Sequence, residues 1–164
     1  MNTLMRVALL TSGCLLVGVA ALGQQTGDNL IVPGQRVGPV FIGMSASELY
    51  RAMGEPDSTH NDGTWVEYQY KDLGTLVRND QKVWTVWVQP NSPRYGTAEG
   101  TRIGAPDLPI RARQPPDYVC RGPDPRSTNF CYSSGLFVRV RNGAVEYISI
   151  FPKEDGCSRY CNNG

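Results

Sequence analysis

The sequence predicts an α+β protein made of two tandem repeats, each a short helix packed on a three- to four-stranded antiparallel meander. Three observations support this fold class. First, 18 glycines and 12 prolines in 164 residues favour turns and strands over long helices. Second, several segments alternate apolar and polar residues, as half-buried strands do. Third, the pattern of helix followed by strands recurs at an offset of about sixty residues.

The recurrence divides the chain into four predicted regions. Residues 1–23 form a signal peptide, residues 24–90 the first repeat, residues 91–152 the second repeat, and residues 153–164 a disulfide-tied tail. The segment "PNSPRYG" at residues 90–96 is the seam between the repeats, because proline and glycine interrupt regular structure. The positions that match between the copies are Gly43 with Gly104, Asp57 with Asp117, Gly74 with Gly135, Arg78 with Arg139, and Val83 with Val145.

The helix of the first repeat has clear boundary signals. Ser45 and Glu48 have the spacing of a capping box, in which each residue's side chain bonds the other's amide. Leu49 then faces the sheet, and Gly54 ends the helix. In the second repeat, Pro109 is tolerable only within a first helical turn, so we expect a short or poorly formed helix there.

The first 23 residues have the features of a secretory signal: a basic residue, an apolar run and small residues before a cleavage site at Gln24. Cys14 raises an alternative, since Gly13–Cys14 also fits a lipoprotein signal. We therefore expect a secreted or periplasmic protein with no membrane span after signal removal. A lipoprotein anchored at Cys14 is the alternative.

Four cysteines remain after signal removal, an even count that indicates disulfides in an exported protein. Three pairings of Cys120, Cys131, Cys157 and Cys161 are possible. The local one, Cys120 with Cys131 and Cys157 with Cys161, is favoured. A four-thiolate metal site is a weaker alternative, because the usual close pairs of cysteines two residues apart are missing and an oxidising compartment favours disulfides. We expect no metal and no cofactor.

The strands of the first repeat are rich in aromatic residues. In "WVEYQYK", Val66, Tyr68 and Tyr70 share the inward face, and Trp65 lies on the other. In "VWTVWVQ", Trp84, Val86 and Val88 share one face, and Trp87 lies opposite. Because one sheet face packs on the helix, aromatic residues on the other face are candidate binding hot spots, unless the second repeat or the tail covers them. The predicted binding residues are Trp65, Tyr70, Trp87, Arg139 and Arg141.

Charge adds to this hypothesis and excludes another class of partner. Acidic residues outnumber basic ones in residues 24–90, and the reverse holds in residues 91–164. Arg139 and Arg141 alternate along a strand and form a basic rim for an acidic partner, or simply a solvated face. The formal net charge is +1, so no nucleic acid partner is expected.

Signs of catalysis are weak. His60, the single histidine, lies in a polar segment near Asp57 and Asp62, without an accompanying nucleophile motif. Glu48 and Glu55 would share a helix face, but Glu48 already serves as a cap and neither has an apolar pocket to raise its pKa. We therefore predict that the protein is not an enzyme.

The segment "VFIGMSASELYRAMGEPD" and its weaker echo "TRIGAPDLPIRARQPPD" resemble the helix-plus-meander units of the β-lactamase inhibitor protein and of SmpA/OmlA-type envelope lipoproteins. The resemblance spans about 120 residues as a pattern. It implies an exported protein-binding module without catalysis, for example an inhibitor or accessory factor of an envelope or secreted protein. A structural envelope component anchored through Cys14 is the second hypothesis, and a small hydrolase is the third.

Overall fold

The computed structural model describes residues 28–161 as an α+β structure with two antiparallel sheets, and so confirms the predicted fold class at that level. The predicted signal peptide, Cys14 and the cleavage site lie outside the described residues. The helices are α1 (Ala46–Met53), α2 (Asp107–Arg113) and α3 (Ser158–Cys161). The small sheet contains β1 (Ile31–Val32), β2 (Arg36–Val37) and β3 (Val40–Phe41). The large sheet contains β4 (Ser58–Asn61), β5 (Trp65–Gln69), β6 (Leu73–Arg78), β7 (Val83–Val88), β8 (Tyr118–Arg121), β9 (Ser127–Tyr132), β10 (Leu136–Arg141) and β11 (Ala144–Ile150).

The large sheet consists of two four-stranded meanders that join at its centre. Its strand order is β4-β5-β6-β7-β11-β10-β9-β8, with antiparallel pairing throughout. At the join, Trp87 of β7 lies opposite Ser149 of β11. Helix α1 precedes the meander β4–β7, and helix α2 precedes the meander β8–β11. Each meander therefore ends at the middle of the sheet, and β4 and β8 are its edges.

Helix α1 begins and ends where its sequence predicts. Ser45 accepts a hydrogen bond from the Glu48 amide at 3.3 Å, and the Glu48 carboxylate accepts one from the Ser45 amide at 2.8 Å. This reciprocal pair satisfies donors that the first turn of a helix leaves free. Gly54 ends the helix with φ at 78°, a conformation that glycine adopts without a steric penalty. Leu49 is fully buried beneath the helix.

Helix α2 is short, as Pro109 predicts, and it also lacks a side-chain cap. It has seven residues, and Pro109 lies in the first turn, where its missing amide costs no hydrogen bond. Pro106 stands at the N-cap and offers no side-chain acceptor. Asp107 instead forms an ion pair with Arg111 at 2.9 Å, one turn further along. Ile110 provides the buried contact of this helix.

One face of the large sheet carries the main core. The buried side chains of both helices and of the small sheet join those of the central strands in one hydrophobic cluster. Leu49, Ile110 and Val37 reach this cluster from outside the sheet, and Val86 and Ile148 lie at its centre. We call this side the helix-bearing face and the opposite side the helix-free face. The alternation of strand side chains places every second residue on the helix-free face.

The structure contains two disulfides, but their pairing differs from the local one favoured by the sequence. Cys131 pairs with Cys157, and Cys120 pairs with Cys161. Cys120 and Cys131 lie on the paired strands β8 and β9, where Cys131 stands opposite Tyr118 rather than Cys120. Such diagonal neighbours are about 7–8 Å apart, beyond the usual reach of a disulfide. The tail bonds to both strands instead, with all four cysteines engaged.

No helix within residues 28–161 is long and apolar enough to cross a membrane.

Candidate functional site

The helix-free face is divided into a covered half and an open half. We call the part over β8–β11 the covered half, because the C-terminal tail lies on it, and the part over β4–β7 the open half. On the covered half, Phe137 and Phe151 are buried together with the Cys131–Cys157 disulfide. The ring of Tyr160 packs on both, with centroid distances of 5.2 Å to Phe137 and 4.4 Å to Phe151. This second hydrophobic cluster fixes the tail in place.

The tail also reaches the border of the open half. The Asp155 carboxylate accepts a hydrogen bond from the indole Nε1 of Trp84. The two disulfides on either side of α3 join Cα atoms that are 5.4 Å and 5.7 Å apart, within the ordinary range. The tail is therefore held to the sheet at both ends of α3 and touches Trp84 just before that helix.

The open half contains a groove between two tryptophans. Trp65 on β5 is 38% exposed, and Trp84 on β7 is half-buried. The groove has a volume of about 410 Å³. We call it the tryptophan groove, and its lining residues are Thr64, Trp65, Arg78, Asn79, Asp80 and Trp84.

Arg78 lies inside this groove and stacks on its wall. Its guanidinium carbon is 4.5 Å from the centre of the Trp84 ring, a close cation–π geometry. Arg78 stands directly opposite Trp65 in the pairing of β5 and β6, so both side chains project from the same face. The groove thus combines two indole surfaces with a guanidinium that lies against one of them.

The centre of the face shows how tightly the strands fit. Trp87 stands opposite Gly74, and its indole lies over that glycine, so an added Cβ at Gly74 would overlap the ring. Across the join, Phe137 stands opposite Ser149. In each meander a large ring therefore lies opposite a small residue, but the large residue comes from the last strand in one and from the third strand in the other.

Polar side chains next to Trp87 form a hydrogen-bonded row. Gln89 donates to Gln69, and Gln69 donates to Glu67. These residues are half-buried on β5 and just beyond β7. The row orders the polar side chains between Trp65 and Trp87, which lie on neighbouring parts of the same face.

Two of the predicted binding residues, Trp65 and Trp87, lie on this helix-free face, and two others are held by neighbours. Arg139 is half-buried; its Nε donates to the Asn129 side chain at 2.9 Å and its guanidinium lies 5.6 Å from the Tyr147 ring centre. Arg141 forms ion pairs with Asp124 at 2.9 Å and with Glu146 at 3.2 Å. Both arginines thus belong to structural networks of the second meander.

Tyr70, another predicted binding residue, is buried rather than exposed on the open half. Tyr70 is 7% exposed and belongs to the main core, on the same strand face as Tyr68. The alternation of residues along an extended chain requires this, since Tyr68 and Tyr70 are two positions apart. Burial raises the pKa of Tyr70 to about 12, because the phenolate is disfavoured away from water.

The side chains weighed as catalytic candidates are all exposed. His60 is exposed on the edge strand β4, and Glu48 and Glu55 are exposed at the two ends of α1. The hydrogen bonds that Glu48 accepts from the Ser45 hydroxyl and amide lower its pKa, which is the opposite of what a general acid needs. The described residues contain no cluster of three or more potential metal ligands.

Sequence reasoning missed Trp84 and Arg78 as groove residues. Simple alternation groups Trp84 with Val86 on the inward face, but the pairing of β6 with β7 shifts between Leu76 and Val77. This bulge lets Val83 join the core and turns Trp84 outward. Arg78 could have been found, because it lies on the same side of β6 as Gly74 and Leu76, four and two positions before it.

Comparison with known proteins shows similarity of fold and no more. No family model and no curated protein matches the chain. Among solved structures, a DUF4309 family protein of Bacillus subtilis aligns over 72% of this chain and 85% of its own, with 12% identity and a TM-score of 0.48. A cysteine-rich secretory protein of Staphylococcus aureus aligns over 79% of this chain, with 14% identity and a TM-score of 0.50. This chain spans 50% of the staphylococcal protein. Neither is a β-lactamase inhibitor protein or an SmpA-type lipoprotein, so that resemblance stays a prediction.

Proposed function

We propose that the protein is an exported, non-enzymatic module that binds another protein through the open half of its helix-free face. The observation that carries the proposal is the tryptophan groove, in which Trp65 is 38% exposed and Arg78 is stacked on Trp84. Tryptophan, tyrosine and arginine are the residues that most often dominate the energy of protein interfaces. A partner that covers the groove would remove both indoles from water, and this desolvation drives binding.

The comparison of the two meanders supports an origin from tandem repeats, as the sequence predicts. Gly43 donates to the Val83 carbonyl at 2.7 Å, and Gly104 donates to the Val145 carbonyl at 2.8 Å. Further backbone bonds correspond in the same way: Val83 to Met44 and Val145 to Ala105, Ala46 to Gln81 and Asp107 to Gly143, Asp57 to Gln69 and Asp117 to Cys131. This repeated plan also supports the predicted resemblance to the β-lactamase inhibitor protein fold, in which case inhibition of a secreted or periplasmic enzyme is one form of the proposed binding.

The cysteines support export. Both disulfides use residues of the described chain, and such bonds are typical of proteins that fold in oxidising compartments. They are compatible with an extracellular or periplasmic protein. We therefore place the proposed partner in the cell envelope or outside the cell.

The proposal is tested by capturing partners from the envelope and extracellular fractions of the host. Wild-type protein is compared with Trp65→Ala in the open half and with Tyr118→Ala, which removes a 56% exposed aromatic residue on edge strand β8. We expect Trp65→Ala to weaken capture at least tenfold and Tyr118→Ala to leave it unchanged. Equal capture by wild type and Trp65→Ala, with both folded, would show that the groove is not the binding site.

A further inference from the structure

The Arg78 guanidinium lies in the tryptophan groove. No carboxylate within residues 28–161 pairs with it. Its side chain stacks on Trp84 but takes part in no ion pair within that range. A guanidinium presents its donors in a fixed planar fork that matches a carboxylate. The guanidinium carbon lies 4.5 Å from the Trp84 ring centre, and this contact holds the fork inside the groove before a ligand arrives. Several other arginines do pair with acids: Arg36, Arg94, Arg111, Arg126 and Arg141.

Asp80, which lines the groove, and two further carboxylates already accept hydrogen bonds from other groups. Asp80 accepts from the Lys82 amide at 3.1 Å. Asp155 accepts from the Trp84 indole, and Glu67 accepts from the Gln69 side chain. Within residues 28–161, none of these carboxylates pairs with Arg78, which leaves its donors available to a ligand.

The contacts of the protein's own tail show which side chains the neighbouring part of this face binds. Asp155 binds the edge of Trp84, and further along the tail the ring of Tyr160 packs between Phe137 and Phe151. The groove is continuous with this interface, because Trp84 forms the groove wall and also contacts the tail. The tail thus binds this face through an aromatic ring, Tyr160, that packs on other rings. It also binds through a carboxylate, Asp155, that lies five residues earlier.

We infer that the tryptophan groove recognises a partner segment in which an aromatic side chain stands next to a carboxylate. The aromatic ring packs between Trp65 and Trp84, and the carboxylate takes the free donors of Arg78. This inference rests on the proposed binding function and specifies the chemistry of the partner. It predicts that charge and ring are both required, since each fills a different part of the groove.

The test uses the oxidised full chain and three capped dipeptides: acetyl-Phe-Asp-amide, acetyl-Phe-Asn-amide and acetyl-Ala-Asp-amide. Binding is followed by NMR through the indole N–H signals of the tryptophans. We expect acetyl-Phe-Asp-amide to shift the Trp65 and Trp84 signals, and each of the other two peptides to bind about fivefold more weakly. Arg78→Gln should abolish the preference for Asp over Asn, whereas Arg121→Gln, which changes an exposed arginine on β8, should preserve it.

The inference is overturned if the wild type binds the Asp and Asn peptides equally, if no peptide shifts either signal, or if Arg78→Gln keeps the preference. Failure of the inference differs from failure of the proposed function. If Trp65→Ala loses the captured partner while Arg78→Gln retains it at the wild-type level, the groove binds a protein but does not read a carboxylate. Unchanged indole signals of the free Arg78→Gln variant would show that Trp84 keeps its position.

Discussion

The two halves of the helix-free face have the same strand arrangement, but the tail covers only one of them. In the covered half, Phe137 is 3% exposed because the tail and its two disulfides lie over it. In the open half, Trp65 is 38% exposed, and Trp87 and Trp84 are half-buried. A sheet face rich in aromatic side chains is stable when a segment of the same chain covers it. An exposed face of the same composition is typical of protein interfaces.

The centre of the sheet shows the difference at single positions. Gly74 makes room for the ring of Trp87 in the open half, and Ser149 stands opposite Phe137 in the covered half. In both halves a small residue opposite a large one keeps the strands in close contact. The two halves therefore differ in whether the tail covers them and not in how their strands pack.

The largest expected effect comes from removing one of the two disulfides that hold the tail. The double substitution Cys131→Ser with Cys157→Ser removes a disulfide that closes a sequence separation of 26 residues. We expect the free energy of unfolding to fall by about 3 kcal/mol, measured by urea denaturation. We also expect greater binding of a hydrophobic dye, because Phe137 and Phe151 would lose their cover. An unchanged unfolding midpoint would contradict the structural role given to the tail.

Gly74→Ala tests the packing of the open half. The added methyl group would overlap the Trp87 indole, which lies on a central strand and can move little. We expect a loss of about 2 kcal/mol in the free energy of unfolding and a change in tryptophan fluorescence. Combining Gly74→Ala with Trp87→Ala should cost less than the sum of the two single changes. Strict additivity would indicate that the ring does not lie over Gly74.

Ser45→Ala tests the unequal helices of the two meanders. It removes the cap of α1, and α2 has no corresponding side-chain cap to lose. We expect a cost of about 1 kcal/mol in the free energy of unfolding. Ser58→Ala, an exposed residue on β4, serves as the control and should change stability by less than about 0.5 kcal/mol. Equal effects of the two substitutions would show that the Ser45 cap does not stabilise α1.

The smallest effect concerns alkaline pH. Burial raises the pKa of Tyr70 and of Tyr147 to about 12, whereas an unfolded chain releases these protons near pH 10. The unfolded state therefore holds fewer protons than the folded state between pH 10 and 12, and stability must fall over that window. Tyr70→Phe should reduce the slope of stability against pH in this range. A slope equal to that of the wild type would show that Tyr70 ionises normally in the folded protein.

Local signals in the sequence predict several parts of the fold. The Ser45–Glu48 spacing and Gly54 define α1, and Pro109 predicts the short α2, because capping and proline effects act over a few residues. The alternation of Tyr68 and Tyr70 correctly gives their inward face. That same alternation should have excluded Tyr70 from the binding residues.

Features set by long-range structure were missed. The disulfide pairing depends on the path of the tail over β8 and β9, and cysteine spacing gives no information on that path. The outward direction of Trp84 depends on a bulge between two strands, which shifts the faces without a strong local signal. The tryptophan groove, which joins residues of three strands and a turn, could therefore be predicted only in part, through Trp65.

Site-specific photo-crosslinking in the host tests whether the open half binds a partner while the covered half serves only the fold. A photoreactive phenylalanine derivative replaces Trp65 in one variant and Tyr118 in another, so that an exposed aromatic position is probed in each meander. We expect one discrete protein adduct from position 65 and none from position 118. Adducts from position 118 with none from position 65, or from neither position, would contradict the account.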